Sequence, residues 1–272
     1  MSTSAIPARP DRLPAAALLT DTIVITRRNL TRTRRTPQVA VAAVTSPVLF
    51  LILMRLVFAG AIHIPAMTYT DYLVPAMLIQ NVIFGGLQSA TGLALDVNGG
   101  LIDRFRSLPT PALAPLAGRG LSDLALQLLA TALAVAAGLA VGFRFHASIL
   151  SCLLGVGMLI LISQSLFWLF AALGIGTQNP ETIQSTTPVF FLFLFVSNAF
   201  IPVATLPRWL QGFAANQPVS VFDNALRALT QGPTAAPALG HDTTYLVVTA
   251  IAWCAGLAVV FAAITRRLYQ RI

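Results

Sequence analysis

The residue types that most often carry out catalysis are few in this chain, and they are not grouped. The sequence holds 3 histidines and 2 cysteines among its 272 residues. His63, His146 and His241 lie outside the long apolar runs, whereas Cys152 and Cys254 lie inside them, where a thiol behaves as a small hydrophobic group. The sequence therefore predicts no nucleophile–base pair, disulfide or metal site, and it argues against an intramembrane enzyme.

The basic residues exclude two further kinds of chemistry. All 17 of them are arginine, and the sequence contains no lysine. A Walker A phosphate loop requires its lysine, and a Schiff base requires one too. Any ATP hydrolysis linked to this protein must therefore take place on another chain, and we expect this chain not to be an enzyme itself.

Composition indicates a membrane protein. The chain is 56% hydrophobic and only 10% charged, with a mean hydropathy of +0.79, whereas soluble domains are about one quarter charged. A bilayer core of ~30 Å needs about 20 residues of apolar helix. Six such runs predict an all-α integral membrane protein with spans at about residues 39–62, 72–95, 121–143, 148–175, 182–201 and 244–264. Small residues recur every four positions in the third run, from Ala130 to Gly142, which predicts a close helix-packing face.

The arginines indicate the orientation of these spans. Seven arginines precede residue 36, three lie between residues 96 and 120, and three follow residue 264, against four elsewhere. Because positive residues concentrate on the cytoplasmic side, we expect both termini of this multi-pass protein to be cytoplasmic. Residues 37–272 would form the transmembrane domain.

Residues 1–36 have a separate character. Leu19, Ile23 and Leu30 fall on one side of a helix, and arginines fall on another. This pattern predicts a cytoplasmic tail that contains an amphipathic helix, with its basic side against anionic lipid. A disordered tail that only sets the topology is the alternative.

The cytoplasmic loop at 96–120 contains a short amphipathic segment that ends at Pro109. Its apolar and charged positions suit docking into a groove of a soluble partner. The residues that we predict to make this contact are Leu101, Asp103, Arg104, Phe105, Arg106 and Leu108. A solvated connector is the alternative interpretation.

Several polar side chains lie inside the predicted spans, where unpartnered polar groups are costly. Together with four phenylalanines between residues 190 and 195, they suggest one wall of a path for an amphipathic, drug-like or lipid-like substrate. The predicted path residues are Asn81, Gln88, Gln184, Phe191, Ser197 and Asn198. The alternative is a helix packed on its neighbours, with Ser197 and Asn198 capped locally and the phenylalanines facing lipid.

Between the last two spans, residues 202–242 are predicted to be extracytoplasmic. Trp209, Phe213 and Phe222 occur at helical spacing, and tryptophan is favoured at the membrane interface. The segment is therefore predicted to form short helices that lie in the outer interface.

The segment FLFVSNAFIPVATLPRWLQGFAANQPVSVFDNALRAL carries the most specific pattern in the chain. A serine stands before an apolar–proline pair, followed by Pro-x-Trp-Leu, by Asn-x-Pro and by a helix with an arginine. These positions are Ser197, Phe200, Pro202, Pro207, Trp209, Leu210, Asn216, Pro218 and Arg227. In this pattern and in its six spans, the chain resembles the permease subunits of ABC-2 type exporters, the branch typified by daunorubicin and doxorubicin resistance.

This resemblance implies a transport subunit of an ATP-binding-cassette exporter. Two permease copies, or this chain and a paralogue, would enclose the path in contact with membrane lipids. The protein would lie in a bacterial inner membrane, and ATP and magnesium would bind to separate cytoplasmic ATPase subunits. The stretch from Asp103 to Pro109 would be the coupling helix. The resemblance implies no cofactor on this chain and no nucleic acid partner, with a drug, lipid or glycolipid as cargo. The alternative is an ATP-independent secondary transporter or channel, which usually places ionisable residues at mid-membrane, where these spans hold almost none.

Overall fold

The computed structural model describes residues 37–58, 60–64, 66–100 and 114–271. Within these ranges the regular structure is helical and no strand occurs, which confirms the all-α class. The predicted amphipathic helix in residues 1–36 and the predicted docking segment at 101–108 lie outside the described residues.

Nine α-helices occur in the part of the chain that the structure describes. They are α1 (Pro37–Phe58), α2 (Tyr69–Asn98), α3 (Ala114–Ala140), α4 (Ile149–Thr177), α5 (Pro180–Phe195), α6 (Arg208–Asn216), α7 (Pro218–Gln231), α8 (Ala236–Leu239) and α9 (Thr243–Arg271). Four stretches are long and apolar enough to cross a bilayer: Tyr69–Asn98, Gly118–Ala140, Ile149–Thr177 and Thr243–Arg271. The protein therefore crosses the membrane several times.

Local capping sets the ends of these helices. The Thr68 hydroxyl accepts a hydrogen bond from the Asp71 N–H at 3.2 Å, which begins α2 at Tyr69, three residues before the predicted start. The Asn179 side chain accepts the N–H of Glu181 at 2.8 Å and begins α5. Gln178 adopts a left-handed conformation (φ 53°) that ends α4, so α4 and α5 are joined by a two-residue turn.

Helix α2 is the centre of the bundle. In its most apolar window 72% of residues are buried, against 17% in α3, 33% in α4 and 11% in α9. Glycines permit close contact with α4, because a Cβ added at Gly174 would lie 2.5 Å from the carbonyl oxygen of Ala90. Gly138 of the predicted small-residue stripe packs on Val74 in the same way. Helices α1, α3, α4, α5 and α7 pack directly against α2, whereas α9 packs on α4 and α7.

Helix α5 is shorter than the fifth predicted span. It ends at Phe195 rather than at residue 201 and contains 16 residues, about 24 Å at 1.5 Å per residue. The helix stops because the Ser197 hydroxyl donates to the Leu194 carbonyl at 2.6 Å and accepts the Ala199 N–H at 2.9 Å. These bonds take the place of the next helical turn.

The predicted interfacial segment divides into two different parts. On α6, Trp209 is 81% exposed and Phe213 is 52% exposed. On α7, Phe222 is 1% exposed and lies in the main apolar core. Helix α7 packs against α2, α4 and α9, so the prediction of an interfacial position was wrong for Phe222.

Candidate functional site

The chain between α5 and α6 is held in place by a buried arginine. Arg227 on α7 is 0% exposed. Its Nε donates to the carbonyl oxygen of Tyr72 at 2.9 Å, and its Nη2 donates to the carbonyls of Asn198 at 3.0 Å and Ala199 at 2.9 Å. Its Nη1 donates to the Asn224 side chain at 3.3 Å. We call these five residues the Arg227 anchor.

Aromatic residues at the start of α2 complete the anchor. The guanidinium carbon of Arg227 lies 3.5 Å from the ring centroid of Tyr72, which is a close cation–π contact. The Tyr72 hydroxyl donates to the Asn198 carbonyl, and the Tyr69 hydroxyl donates to the Phe200 carbonyl at 3.2 Å. The backbone that follows α5 is thus fastened to α2 and α7 at the same point.

Because its donors are occupied by protein groups, Arg227 is not free to bind an anionic substrate. The Arg227 side chain donates four hydrogen bonds to protein groups and contacts one aromatic ring, and none of its surface reaches solvent. A buried guanidinium is retained only where its donors are satisfied in this way. The anchor is therefore a structural element.

Asp223 lies one helical turn before Arg227 and has a different environment. It is 0% exposed, and neither carboxylate oxygen accepts a hydrogen bond in the described part of the chain. Burial raises the pKa of Asp223 to about 7, although the positive charge of Arg227 acts in the opposite direction. Helix α7 is too short to span the membrane, so this carboxyl is an ionisable group beside the spans.

Two of the predicted path residues belong to the anchor region. Ser197 and Asn198 are 1% and 6% exposed. The Asn198 N–H donates to the Ser220 hydroxyl at 3.0 Å, and its side chain donates to the Asn224 side chain at 2.6 Å. These contacts favour the alternative of local capping, and a role for either residue in the path stays a prediction.

Other predicted path residues lie on a different surface. Gln88 on α2 and Gln184 and Phe191 on α5 are all exposed. The Phe84 ring of α2 contacts the Phe191 ring at a centroid distance of 4.8 Å, which joins the two helices. We call the surface formed by Phe84, Gln88, Gln184 and Phe191 the α2–α5 face.

Asn81 lies at the edge of the α2–α5 face. Its side chain is half-buried, and its Nδ2 donates to no group in the described part of the chain. Asn81 and Gln88 are seven residues apart and therefore lie on the same side of α2. The structure thus brings Asn81, Gln88, Gln184 and Phe191 to one side of the bundle and separates them from Ser197 and Asn198.

The phenylalanines of α5 point in different directions, as four neighbours on a helix must. Phe190 packs on Phe170 of α4 at 5.2 Å, and Phe193 packs on Phe213 of α6 at 6.2 Å. Phe191 and Phe195 stack on the same side, with ring centroids 6.4 Å apart. These two rings therefore belong to the side of α5 that carries the α2–α5 face.

Among the described residues, no group of three or more His, Cys, Asp or Glu side chains is arranged to hold a metal ion. Cys152 and Cys254 are both free thiols. What the described geometry provides is an exposed amide-bearing face and a buried arginine that holds α2, α7 and the segment after α5 together.

Sequence reasoning missed the partners of Arg227 and the isolation of Asp223. Arg227 was recognised only as part of a motif, and Tyr72 only as the start of a span. The available signal was an acidic and a basic residue four positions apart on one helix, Asp223 and Arg227. Such a pair on a buried helix needs internal partners, because isolated charges are costly to bury.

Comparison with known proteins places this architecture in a family. Residues 20–230 match the model of the family described as ABC-2 type transporter. The chain is 34% identical over 228 residues to the daunorubicin resistance ABC transporter permease protein DrrB1 of Streptomyces coeruleorubidus, covering 84% of this chain and 78% of that protein. It is 25% identical over 260 residues to the probable doxorubicin resistance ABC transporter permease protein DrrC of Mycobacterium tuberculosis, covering 93% of this chain and 91% of that protein. These matches confirm the resemblance, and the chain belongs to the ABC-2 type transporter family.

Proposed function

We propose that this protein is the permease subunit of an ABC exporter that moves a hydrophobic or amphipathic cargo out of the cytoplasm or inner leaflet. The family membership supports the transport role. The names of the relatives, which refer to daunorubicin and doxorubicin resistance, support a drug-like cargo, with a lipid or glycolipid as the related chemical class.

The α2–α5 face is the observation that carries this proposal. Two glutamines, Gln88 on α2 and Gln184 on α5, are exposed within the predicted second and fifth spans. Unpartnered amides are costly in contact with lipid, so this face is better suited to contact with another protein or with cargo. Aromatic rings with a few amides fit an amphipathic molecule. A second copy of this chain, or a paralogue, would close the path against this face.

The topology that we propose has six spans with both termini in the cytoplasm. The four long described helices would be joined by α1, which has 22 residues, and by α5, which the 196–201 segment extends. The arginine distribution of the sequence supports the orientation. Residues 1–36 would form the cytoplasmic tail and residues 37–272 the transmembrane domain.

The energy source would be a separate ATPase subunit. We propose that it binds ATP and magnesium and that it docks on the segment at 101–108. The absence of lysine from the sequence supports this division of labour, because a Walker A loop requires one.

A reconstitution experiment tests the function. The permease would be purified with its ATPase and placed in proteoliposomes with a panel of amphipathic drugs and lipids. We expect ATP-dependent export of at least one cargo. Export that continues without the ATPase would instead indicate a secondary transporter and would refute the proposal.

Two substitutions test the path. We expect the double variant Gln88→Leu, Gln184→Leu to insert normally and to lose about tenfold in transport per folded molecule. That loss is ~1.4 kcal/mol, the order of one hydrogen bond. The control is Val259→Ala on α9, which is 71% exposed and lies outside the face. An unchanged rate and cargo profile in the double variant would exclude this face as the path.

A further inference from the structure

An ionic network joins α2 and α3 at the end of α2 that is distant from the Arg227 anchor. Arg119 Nη1 lies 2.6 Å from Asp96 Oδ2, and Arg119 Nε lies 3.7 Å from Asp123 Oδ2. Arg119 Nε also donates to the Ser89 hydroxyl at 3.4 Å, and that hydroxyl donates to Asp123. One guanidinium thus connects groups on both helices.

A glycine makes room for this arrangement. The guanidinium of Arg119 lies across the backbone of α2 at Gly92. A Cβ added there would lie 2.1 Å from Nη2 and 3.0 Å from the central carbon of the guanidinium. Any larger residue at position 92 would displace the guanidinium, so Gly92 and Arg119 act as one unit.

The network is partly withdrawn from solvent. The Arg119 side chain is 19% exposed, and those of Asp96 and Asp123 are 27% and 30% exposed. Screening is weaker for such pairs than for surface ion pairs, and loss of Arg119 would leave two carboxylates close together. The network therefore resists separation of α2 from α3.

The network lies where it can link the ends of α2 and α3. Asp96 lies two residues before the end of α2, and Arg119 lies five residues after the start of α3. In the proposed topology both are at the cytoplasmic end of the bundle. Elsewhere these two helices meet through packing contacts such as that of Gly138 with Val74. An ionic bond at one end and small-residue packing farther along let the two helices move together.

We propose that the Asp96–Arg119–Asp123 network transmits movement between α2 and α3, and that Arg119 is a positioning residue for coupling ATP hydrolysis to transport. This inference rests on the proposed function. A displacement applied by the ATPase at the cytoplasmic end of α3 passes through Arg119 and Asp96 to α2, and α2 carries Gln88 of the α2–α5 face. Arg119 itself contacts neither ATP nor cargo.

The test compares two variants that break the network in different ways. Arg119→Gln removes the charge, whereas Gly92→Ala keeps every charge and displaces the guanidinium. The control is Gly256→Ala on α9, because a Cβ there has no neighbour within 4 Å. Each variant is purified with the ATPase, and folded yield, ATP hydrolysis and transport are measured in proteoliposomes.

The decisive readout is the amount of cargo transported per ATP hydrolysed. If a substitution only misfolded a fraction of the molecules, transport and ATP hydrolysis would fall together and this ratio would not change. We expect both variants to retain the ATPase and to lose about five- to tenfold in this ratio, within the range of coupling between linked sites. The Gly256→Ala ratio should equal that of the wild type. Ratios equal to the wild type in both variants would overturn the inference.

Two further outcomes are also informative. If Arg119→Gln does not fold, Asp96→Asn takes its place, because it removes the 2.6 Å ion pair and leaves Arg119 with Asp123. An unchanged ratio in Asp96→Asn would then overturn the inference. A wild-type protein that binds no ATPase would refute the proposed function itself, which distinguishes the two failures.

Discussion

Replacement of Arg227 by glutamine should be among the most destabilising changes in the described part of the protein. The substitution removes donors from the buried carbonyls of Tyr72, Asn198 and Ala199, of which that of Asn198 keeps the Tyr72 hydroxyl. A buried acceptor left without a donor costs about 1–3 kcal/mol, and breaking a buried charged network costs about 3–5 kcal/mol in total. We expect Arg227→Gln to lower the free energy of unfolding by roughly 3–5 kcal/mol.

The assay is denaturant or thermal unfolding in detergent, followed by limited proteolysis at the segment 196–207. Arg208→Gln is the matched control, because Arg208 lies on the neighbouring helix α6 and is exposed. Exposed substitutions of this kind change stability by about 0.5 kcal/mol or less. The loss of stability in Arg227→Lys should fall between those of Arg227→Gln and Arg208→Gln. Lysine keeps the positive charge, but its ammonium lacks the planar fork of donors with which the guanidinium reaches several carbonyls.

The contribution of the Tyr72 hydroxyl to stability can be measured separately from that of the Arg227 guanidinium. Tyr72→Phe keeps the ring under the guanidinium but removes the donor to the Asn198 carbonyl, so we expect a loss of only about 1 kcal/mol. The double variant Tyr72→Phe, Arg227→Gln should be more destabilised than the sum of the single variants, because only the double variant removes both donors from the Asn198 carbonyl. An Arg227→Gln protein within 1 kcal/mol of the wild type would refute this reasoning.

Two further predictions follow from buried groups. Since burial raises the pKa of Asp223 to about 7, the folded state holds a proton that the unfolded state releases near pH 4. The free energy of unfolding should therefore fall between about pH 4 and pH 7, by roughly 4 kcal/mol, whereas Asp223→Asn should remove this slope and be the more stable protein at pH 8. Equal slopes in both proteins, measured by unfolding across pH, would contradict this assignment. Gly174→Ala should destabilise by about 1–3 kcal/mol because its Cβ would meet the Ala90 backbone. In the same unfolding assay Gly157→Ala on the same helix, with no neighbour within 4 Å, should be neutral or stabilising; similar results for both glycines would argue against the close contact of α2 with α4.

The class of the protein and its long helices could be predicted because they depend on local properties. Apolar runs of about 20 residues identify membrane helices without reference to the rest of the chain. The ends of the helices were predicted less well, because they depend on single side chains. Thr68 begins α2 earlier than its apolar run indicates, and Ser197 ends α5 before its run is complete.

The anchor could not be predicted, because its parts are distant in the sequence. Tyr72 and Arg227 are separated by 155 residues, and Arg227 meets the backbone of Asn198 and Ala199 across 29 and 28 residues. The pattern that carried the family resemblance contained Ser197 and Arg227 but gave no indication that they serve the same junction. Asn198 is predicted to line the path, and its own nitrogens donate to Ser220 and Asn224 of α7, contacts that its sequence neighbours do not indicate.

The two arginines hold α2 near its opposite ends, and they differ in their partners. Arg227 is 0% exposed and has donors fixed to backbone carbonyls that cannot move independently. Arg119 is 19% exposed and joins α3 to α2 through Asp96 at 2.6 Å, whereas Asp123 at 3.7 Å lies on its own helix α3. Because opening the Arg227 anchor leaves buried polar groups unpaired, α2 is fixed more firmly there, and at the Arg119 end it can move together with α3. A tilt of α2 about the Arg227 anchor would displace Gln88, which lies nearer the Arg119 end, more than Tyr72 within the anchor.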